Sequence, residues 1–120
     1  MKYSIGEFSK VIDLSIDTLR YYEKEGLIKP ERNSTNQRVY SEADIAWMEF
    51  IKKLKLTGMP LKNIKRYSEL RYQGNETVEE RLDLLYEQSG ALDQKKAEIE
   101  DHLSFLADKI EIYKEMLKNK

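Results

Sequence analysis

Cysteine is absent from this sequence of 120 residues, and histidine occurs once. That removes a disulfide framework, a thiolate metal site and a cysteine redox switch at a stroke. His102 lies in a polar, helical context with no second histidine to share a metal. It reads as a surface residue, and no metal or cofactor is expected. No apolar run approaches a membrane span, and the N-terminus lacks the charged-then-apolar pattern of a secretory signal. A cytoplasmic protein with no membrane partner is the expectation. No nucleophile–base pair, phosphate loop or pair of carboxylates in a cleft is visible, so an enzyme is not expected. Proline is scarce too, and Pro30 and Pro60 both fall where helical periodicity breaks.

Charge is plentiful but unevenly spread. Residues 1–75 hold 14 Lys/Arg against 10 Asp/Glu, whereas residues 76–120 hold 7 against 12. A mildly basic first part can approach phosphates, and an acidic second part is repelled by them. The length suits one compact domain, or a small domain with an extension.

The first part is organised around Ser15-Ile16-Asp17-Thr18-Leu19-Arg20-Tyr21-Tyr22-Glu23-Lys24-Glu25-Gly26-Leu27. Ser15 is placed to cap a short helix, and Gly26 to end it in the left-handed conformation. Ile16 and Leu19 give it a narrow apolar stripe. The remaining surface carries Asp17, Thr18, Arg20, Tyr21 and Tyr22. Such a helix suits a reader of the DNA major groove, and equally a small surface helix with a solvated face. Its neighbours decide between them.

Upstream, Ser4-Ile5-Gly6-Glu7 is a capping box, and Ile5, Phe8 and Ile12 recur at helical spacing. Asp13-Leu14 connects this first helix over 5–12 to the second, which makes a helix-turn-helix candidate. Downstream, Pro30 stops any helix, and Asn33 to Asn36 is turn chemistry between Arg32 and the extended Arg38-Val39-Tyr40. The reading is a β-hairpin wing with an arginine on each arm, suited to phosphate contact. Ser41-Glu42-Ala43-Asp44 resembles a second capping box, opening a helix with Ile45, Met48, Ile51, Leu54 and Leu56 on its apolar side. After Gly58-Met59-Pro60 a fourth helix turns Leu61, Ile64, Tyr67 and Leu70 inward, with Lys52, Lys53, Lys55 and Lys62 outside.

Beyond the break at Gln73-Gly74-Asn75, Thr77-Val78-Glu79-Glu80 forms a third capping box, and the pattern changes in kind. Val78, Leu82, Leu85, Ser89, Leu92, Lys96, Ile99, Leu103, Leu106, Ile110, Tyr113 and Leu117 alternate at steps of four and three. That is an a/d heptad register. A helix on the order of 60 Å long cannot bury such a stripe on a small domain and needs a partner helix. Ser89-Gly90 marks its weak point, and folding back into a hairpin there is the alternative.

Taken together, the chain resembles the MerR family of transcription regulators. The matching residues are Ile5-Gly6-Glu7, Thr18-Leu19-Arg20-Tyr21-Tyr22-Glu23, Gly26-Leu27-Ile28, Pro30 and Arg32. They continue through Arg38-Val39-Tyr40-Ser41, Asp44-Ile45, Phe50-Ile51, Gly58-Met59-Pro60-Leu61 and Ile64. The resemblance spans residues 1–70 by motif and the remainder by architecture. It implies a mainly α fold: a winged helix-turn-helix DNA-binding domain over 1–75, then a long antiparallel coiled-coil dimerisation helix over 76–120. A second wing lies around residues 59–74.

The resemblance further implies a homodimer on a two-fold site in double-stranded promoter DNA. Such dimers bend and untwist an overlong spacer, so that RNA polymerase engages indirectly. At or near DNA it places Ser15, Asp17, Thr18, Arg20, Tyr21 and Tyr22 of the second helix, with packing inside the domain an equal alternative for Tyr22. From the wing and the lysines it adds Arg32, Asn36, Gln37, Arg38, Tyr40, Lys55 and Lys62. The dimer seam is Leu82, Leu85, Leu92, Ile99, Leu103, Leu106, Ile110, Tyr113 and Leu117.

Two departures stand out. Asn36 and Gln37 replace the wing glycine and aromatic common in the family, and asparagine tolerates the left-handed turn. Asp17 stands where many members have a basic or neutral group, and its expected part is to favour the helix N-terminus. The expectation is a short form without a C-terminal effector domain or inducer-binding cysteines. If a small-molecule inducer exists, its pocket is expected between the DNA-binding domain and the partner's helix. Trp47, Tyr67, Tyr72, Tyr86 and Tyr113 are candidates for its walls, with simple packing the better reading of each. The competing functions are an architectural, excisionase-like DNA-binding protein and a coiled-coil interaction module that never touches DNA.

Overall fold

The computed structural model describes residues 1–120. The elements run β1 (Lys2–Tyr3), α1 (Ile5–Ile12), α2 (Ile16–Lys24), β2 (Glu31–Arg32), β3 (Arg38–Ser41), α3 (Glu42–Leu56), α4 (Leu61–Gln73), a 3-10 turn (Asn75–Thr77) and α5 (Val78–Lys118). They fall into two compact units, Met1–Leu84 and Leu85–Lys120. No helix is long and apolar enough to cross a membrane.

In the first unit the helix starts are set locally. Ser4 Oγ accepts from the Glu7 N–H at 3.2 Å, and the Glu7 carboxylate accepts from the Ser4 N–H at 2.9 Å. The Ser4 N–H bond to the ionised carboxylate, with the Ser4 hydroxyl second, holds the Glu7 carboxyl below its usual pKa of 4.5. The Ser41–Asp44 box closes the same way at 3.3 and 2.9 Å. Asp13 takes the left-handed conformation (φ 55°) and ends α1, so three residues, Asp13, Leu14 and the cap Ser15, suffice to join α1 to α2.

The hairpin has a third strand that sequence reading did not find. β3 lies centrally, with β2 on one side and β1 antiparallel on the other, Tyr3 opposite Tyr40. Two residues are too few for a visible alternation, which is why β1 escapes a pattern search. The core beneath joins Phe8, Ile12, Leu19, Leu27, Ile28, Met48, Ile51, Ile64 and Leu70, all essentially inaccessible.

Several expectations need correction here. Leu56 and Leu61 face solvent, at 86% and 41% exposure, because α3 and α4 meet through Ile51, Leu54, Met59 and Ile64 instead. Lys52 is not a purely outward lysine: its Nζ donates to the Ile12 carbonyl at 2.6 Å and so closes the C-terminus of α1. The third capping box is not made. Thr77 Oγ1 instead donates towards the carbonyls of Leu70 (2.6 Å) and Gly74 (2.7 Å), while Glu80 pairs with Arg66 at 3.1 Å. The 3-10 turn feeds straight into α5, the Asn75 carbonyl accepting from the Val78 N–H.

In the second unit α5 runs unbroken through Ser89 and Gly90, which overturns the hairpin alternative. A side chain at Gly90 would meet nothing within 4 Å, so that glycine answers no close approach inside this chain. The unit has no buried apolar side chain of its own: Leu92, Ile99, Leu103, Leu106, Ile110, Tyr113 and Leu117 are 40–70% exposed.

Candidate nucleic-acid interface

The interface is built on α2. Ser15 Oγ accepts from the Thr18 N–H at 3.1 Å and donates to Thr18 Oγ1 at 2.8 Å, so two predicted contacts also serve as the helix cap. Leu19 and Tyr22 anchor the helix below. Asp17, Arg20, Tyr21 and Lys24, spaced three, one and three apart, share the opposite, exposed face. Arg20 Nη1 lies 3.8 Å from Asp17, loose enough for the guanidinium to leave for a base or a phosphate. Tyr21 is 46% exposed.

The C-terminal end of α2 is fastened to three other elements. Glu25 accepts from Lys65 of α4 at 2.8 Å. This charge-assisted bond lowers the Glu25 carboxyl from 4.5 and raises the Lys65 ammonium from 10.5. Gly26 (φ 81°) turns the chain, and the Leu27 carbonyl accepts from Trp47 Nε1 of α3 at 2.7 Å. The Lys29 N–H donates to the Tyr72 hydroxyl at 3.0 Å. Glu23 fastens the helix to the wing by taking both of its arginines: Arg32 Nη2 at 2.8 Å through one oxygen and Arg38 Nε through the other.

The wing itself is stiff. Asn33 Oδ1 accepts from the N–H groups of Thr35 (3.0 Å) and Gln37 (2.9 Å). Asn36 takes φ 62°, the left-handed turn for which asparagine suits that position. Arg32 and Arg38 are cross-strand partners in the β2–β3 register. Between β1 and the wing lies an open groove of about 490 Å³ lined in part by Lys2, Arg32, Asn36, Gln37 and Arg38.

Two predicted contacts are placed inside. Tyr40 is fully buried, its ring stacked on Phe8 at 4.1 Å, because β3 turns this residue under the sheet. It is a core residue and not a DNA contact. Its hydroxyl has no hydrogen-bond partner, and burial pushes its pKa up to about 12. Tyr22 is 3% exposed, and its hydroxyl accepts from Lys55 Nζ at 2.7 Å. It therefore acts as a support that holds the Lys55 ammonium at the surface. Lys62 is exposed on α4.

Trp47 and Tyr67 fill the space between α3 and α4, ring centroids 6.0 Å apart, with Arg71 over the indole at 4.3 Å. In the single chain they serve as packing residues, with Tyr72 edge-on to the indole at 6.3 Å. Glu23, on which both wing arginines converge, is the side chain that sequence reading left without a role. An acidic residue one turn beyond Arg20, beside a hairpin bearing two arginines, was the available signal.

The comparisons agree with this geometry. Residues 3–70 match the model of the MerR HTH family regulatory protein. An HTH-type transcriptional regulator of Haemophilus influenzae is 36% identical over 114 residues, 94% of this chain and 84% of its own. The Bacillus subtilis HTH-type regulator YyaN is 33% identical over 97% of this chain and 94% of its own. Among solved structures, HiNmlR, a MerR-family regulator lacking the sensor domain and bound to promoter DNA, superposes with a TM-score of 0.76. It is 35% identical over 96% of this chain and 92% of its own. A capped helix with an Arg/Tyr face, a stapled arginine wing, a long helix with an apolar stripe and these relatives converge: the chain belongs to the MerR family of DNA-binding transcription regulators.

Proposed function

We propose that this regulator works as a homodimer on a two-fold promoter site in the bacterial cytoplasm. It acts by bending and untwisting the promoter spacer until RNA polymerase can engage it. The observation that carries the dimer is the bare seam of α5, a heptad row whose members from Leu92 to Leu117 stand 40–70% exposed in the single chain. A contiguous apolar stripe of that length is the signature of a helix awaiting a partner helix. In this reading residues 76–120 dimerise as an antiparallel pair, through Leu82, Leu85 and the row that follows, and residues 1–75 bind DNA.

Each protomer then presents α2 to one half-site. Arg20, Thr18 and Tyr21, with Asp17 beside them, read base edges or the adjoining phosphates, while Ser15 supports Thr18. Arg32, Asn36, Gln37 and Arg38 from the wing, with Lys55 and Lys62, contact the backbone and set register without reading sequence. Arg38→Ala should then weaken binding to all duplexes alike and lower the salt slope by about one ion. A loss confined to one base position would place Arg38 at a base edge instead.

Selection of bound duplexes from a random pool, followed by footprinting of the winner in its own genome, tests the reading as a whole. The expected result is a two-fold site inside an overlong promoter spacer. Enrichment of a site without symmetry would favour an architectural role and overturn the dimeric mechanism.

A further inference from the structure

Resting on the DNA-binding reading above, we propose that Glu23 is a positioning residue that sets both the pose of the wing and the charge it offers to DNA. Arg32 and Arg38 lie directly opposite each other across the β2–β3 register. Like charges so placed repel, and a two-residue strand has little pairing of its own to resist them. Glu23 reaches from α2 between them and gives one oxygen to each, Arg32 at 2.8 Å and Arg38 through its Nε.

The arrangement is sheltered rather than loose. The side chains of Glu23, Arg38 and Arg32 are 24%, 25% and 37% exposed, so their charges are screened less than those of a fully solvated pair. Charge-assisted bonds from one carboxylate to two guanidiniums fix direction as well as distance. Three consequences follow. The wing is joined to the reading helix by a side chain that leaves the exposed face of α2 free. The pair of arginines offers DNA a net charge of one instead of two. And the same carboxylate that aims the wing restrains its attraction for phosphates of any sequence. Glu23 thus trades raw affinity for discrimination.

The test compares the full-length wild type with Glu23→Gln and Glu23→Asp on the selected operator and on a random duplex, across a salt series. Glutamine keeps the size but loses the charge, and only its carbonyl can accept. For Glu23→Gln the random-duplex affinity should rise by roughly tenfold near 0.1 M salt, with a slope steeper by about one ion. The ratio of operator to random binding should fall about tenfold or more. Glu23→Asp keeps the charge but is too short to span both arginines, so it should retain the wild-type slope and lose only part of the ratio. A merely structural glutamate would change thermal stability and leave the random-duplex slope where it was. In a variant that melts cooperatively, an unchanged slope or an unchanged ratio for Glu23→Gln overturns the proposal. Failure of the wild type to prefer any duplex overturns instead the DNA-binding reading beneath it.

Discussion

The two units use their apolar side chains in opposite ways. Met1–Leu84 encloses them: Phe8, Ile12, Leu19, Leu27, Ile28, Met48, Ile51, Ile64 and Leu70 are each at most 1% exposed. Leu85–Lys120 displays them, with Ile99, Leu103, Leu106, Ile110 and Leu117 all more than half exposed. The first unit completes its core within one chain. The second is regular and charged, and the apolar row along it lies uncovered in the single chain. On the proposed function that difference has a purpose: the closed unit meets DNA with one constant shape, and the open one is completed by another copy.

The largest effect should come from breaking the open unit. Leu103→Asp puts a charge in the seam, which should yield a monomer whose operator affinity falls by roughly 100-fold or more, as joint binding of two half-sites is lost. The first unit should melt as before, since it does not include residue 103. A dimer of unchanged affinity on a gel-shift titration would sink the account of α5.

Phe8→Ala attacks the closed unit in the reverse sense. Phe8 is fully buried against Tyr40, so the cavity should cost about 3–5 kcal/mol in a denaturant melt. A cost below about 1 kcal/mol would show that the core beneath the sheet can collapse around the gap.

The closed unit was legible in the sequence wherever local chemistry decides the outcome. Ser4/Glu7 and Ser41/Asp44 announce helix starts, Gly26 a helix end, and Asn33 to Asn36 a turn, and each does so in the structure. What could not be read depends on how elements meet. Tyr40 has the same extended neighbours whether it points at DNA or at Phe8, and only the docking of α1 under β3 decides. Thr77 fits a capping box by spacing, yet the 3-10 turn beside it takes over its role. Lys52 gains an inward partner because α1 ends where its ammonium can reach the Ile12 carbonyl. Glu23 gains a role only once the wing lies against α2. The heptads of the open unit were plain, since periodicity along one helix needs no tertiary context.

The pH response sharpens the contrast within the closed unit. The Glu7 and Glu25 carboxyls lie below 4.5 when folded, so their contribution is complete above 4.5 and is lost as pH falls through the lowered values. The Lys65 ammonium lies above 10.5, so its contribution is complete below 10.5 and is lost as pH rises through the raised value. The melting temperature should therefore decline at both extremes, and Glu25→Gln should blunt both declines. Two unaltered arms in that variant would show that the Lys65 pair does not hold in solution.

The smallest effect tests the one unpaired group in the core. Tyr40 Oη is buried without a hydrogen-bond partner, so Tyr40→Phe should raise stability by up to about 1 kcal/mol in a urea melt. A loss of stability would mean that the hydroxyl is satisfied in solution.

The central claim is that the bare seam of α5 exists to join two copies of this chain on DNA. Light scattering of the full-length protein, alone and on its selected duplex, measures that directly. The account predicts the mass of two chains for the free protein, of two chains plus one duplex for the complex, and of one chain for free Leu103→Asp. A wild-type protein that runs as a single chain, and binds its duplex as one, would contradict it.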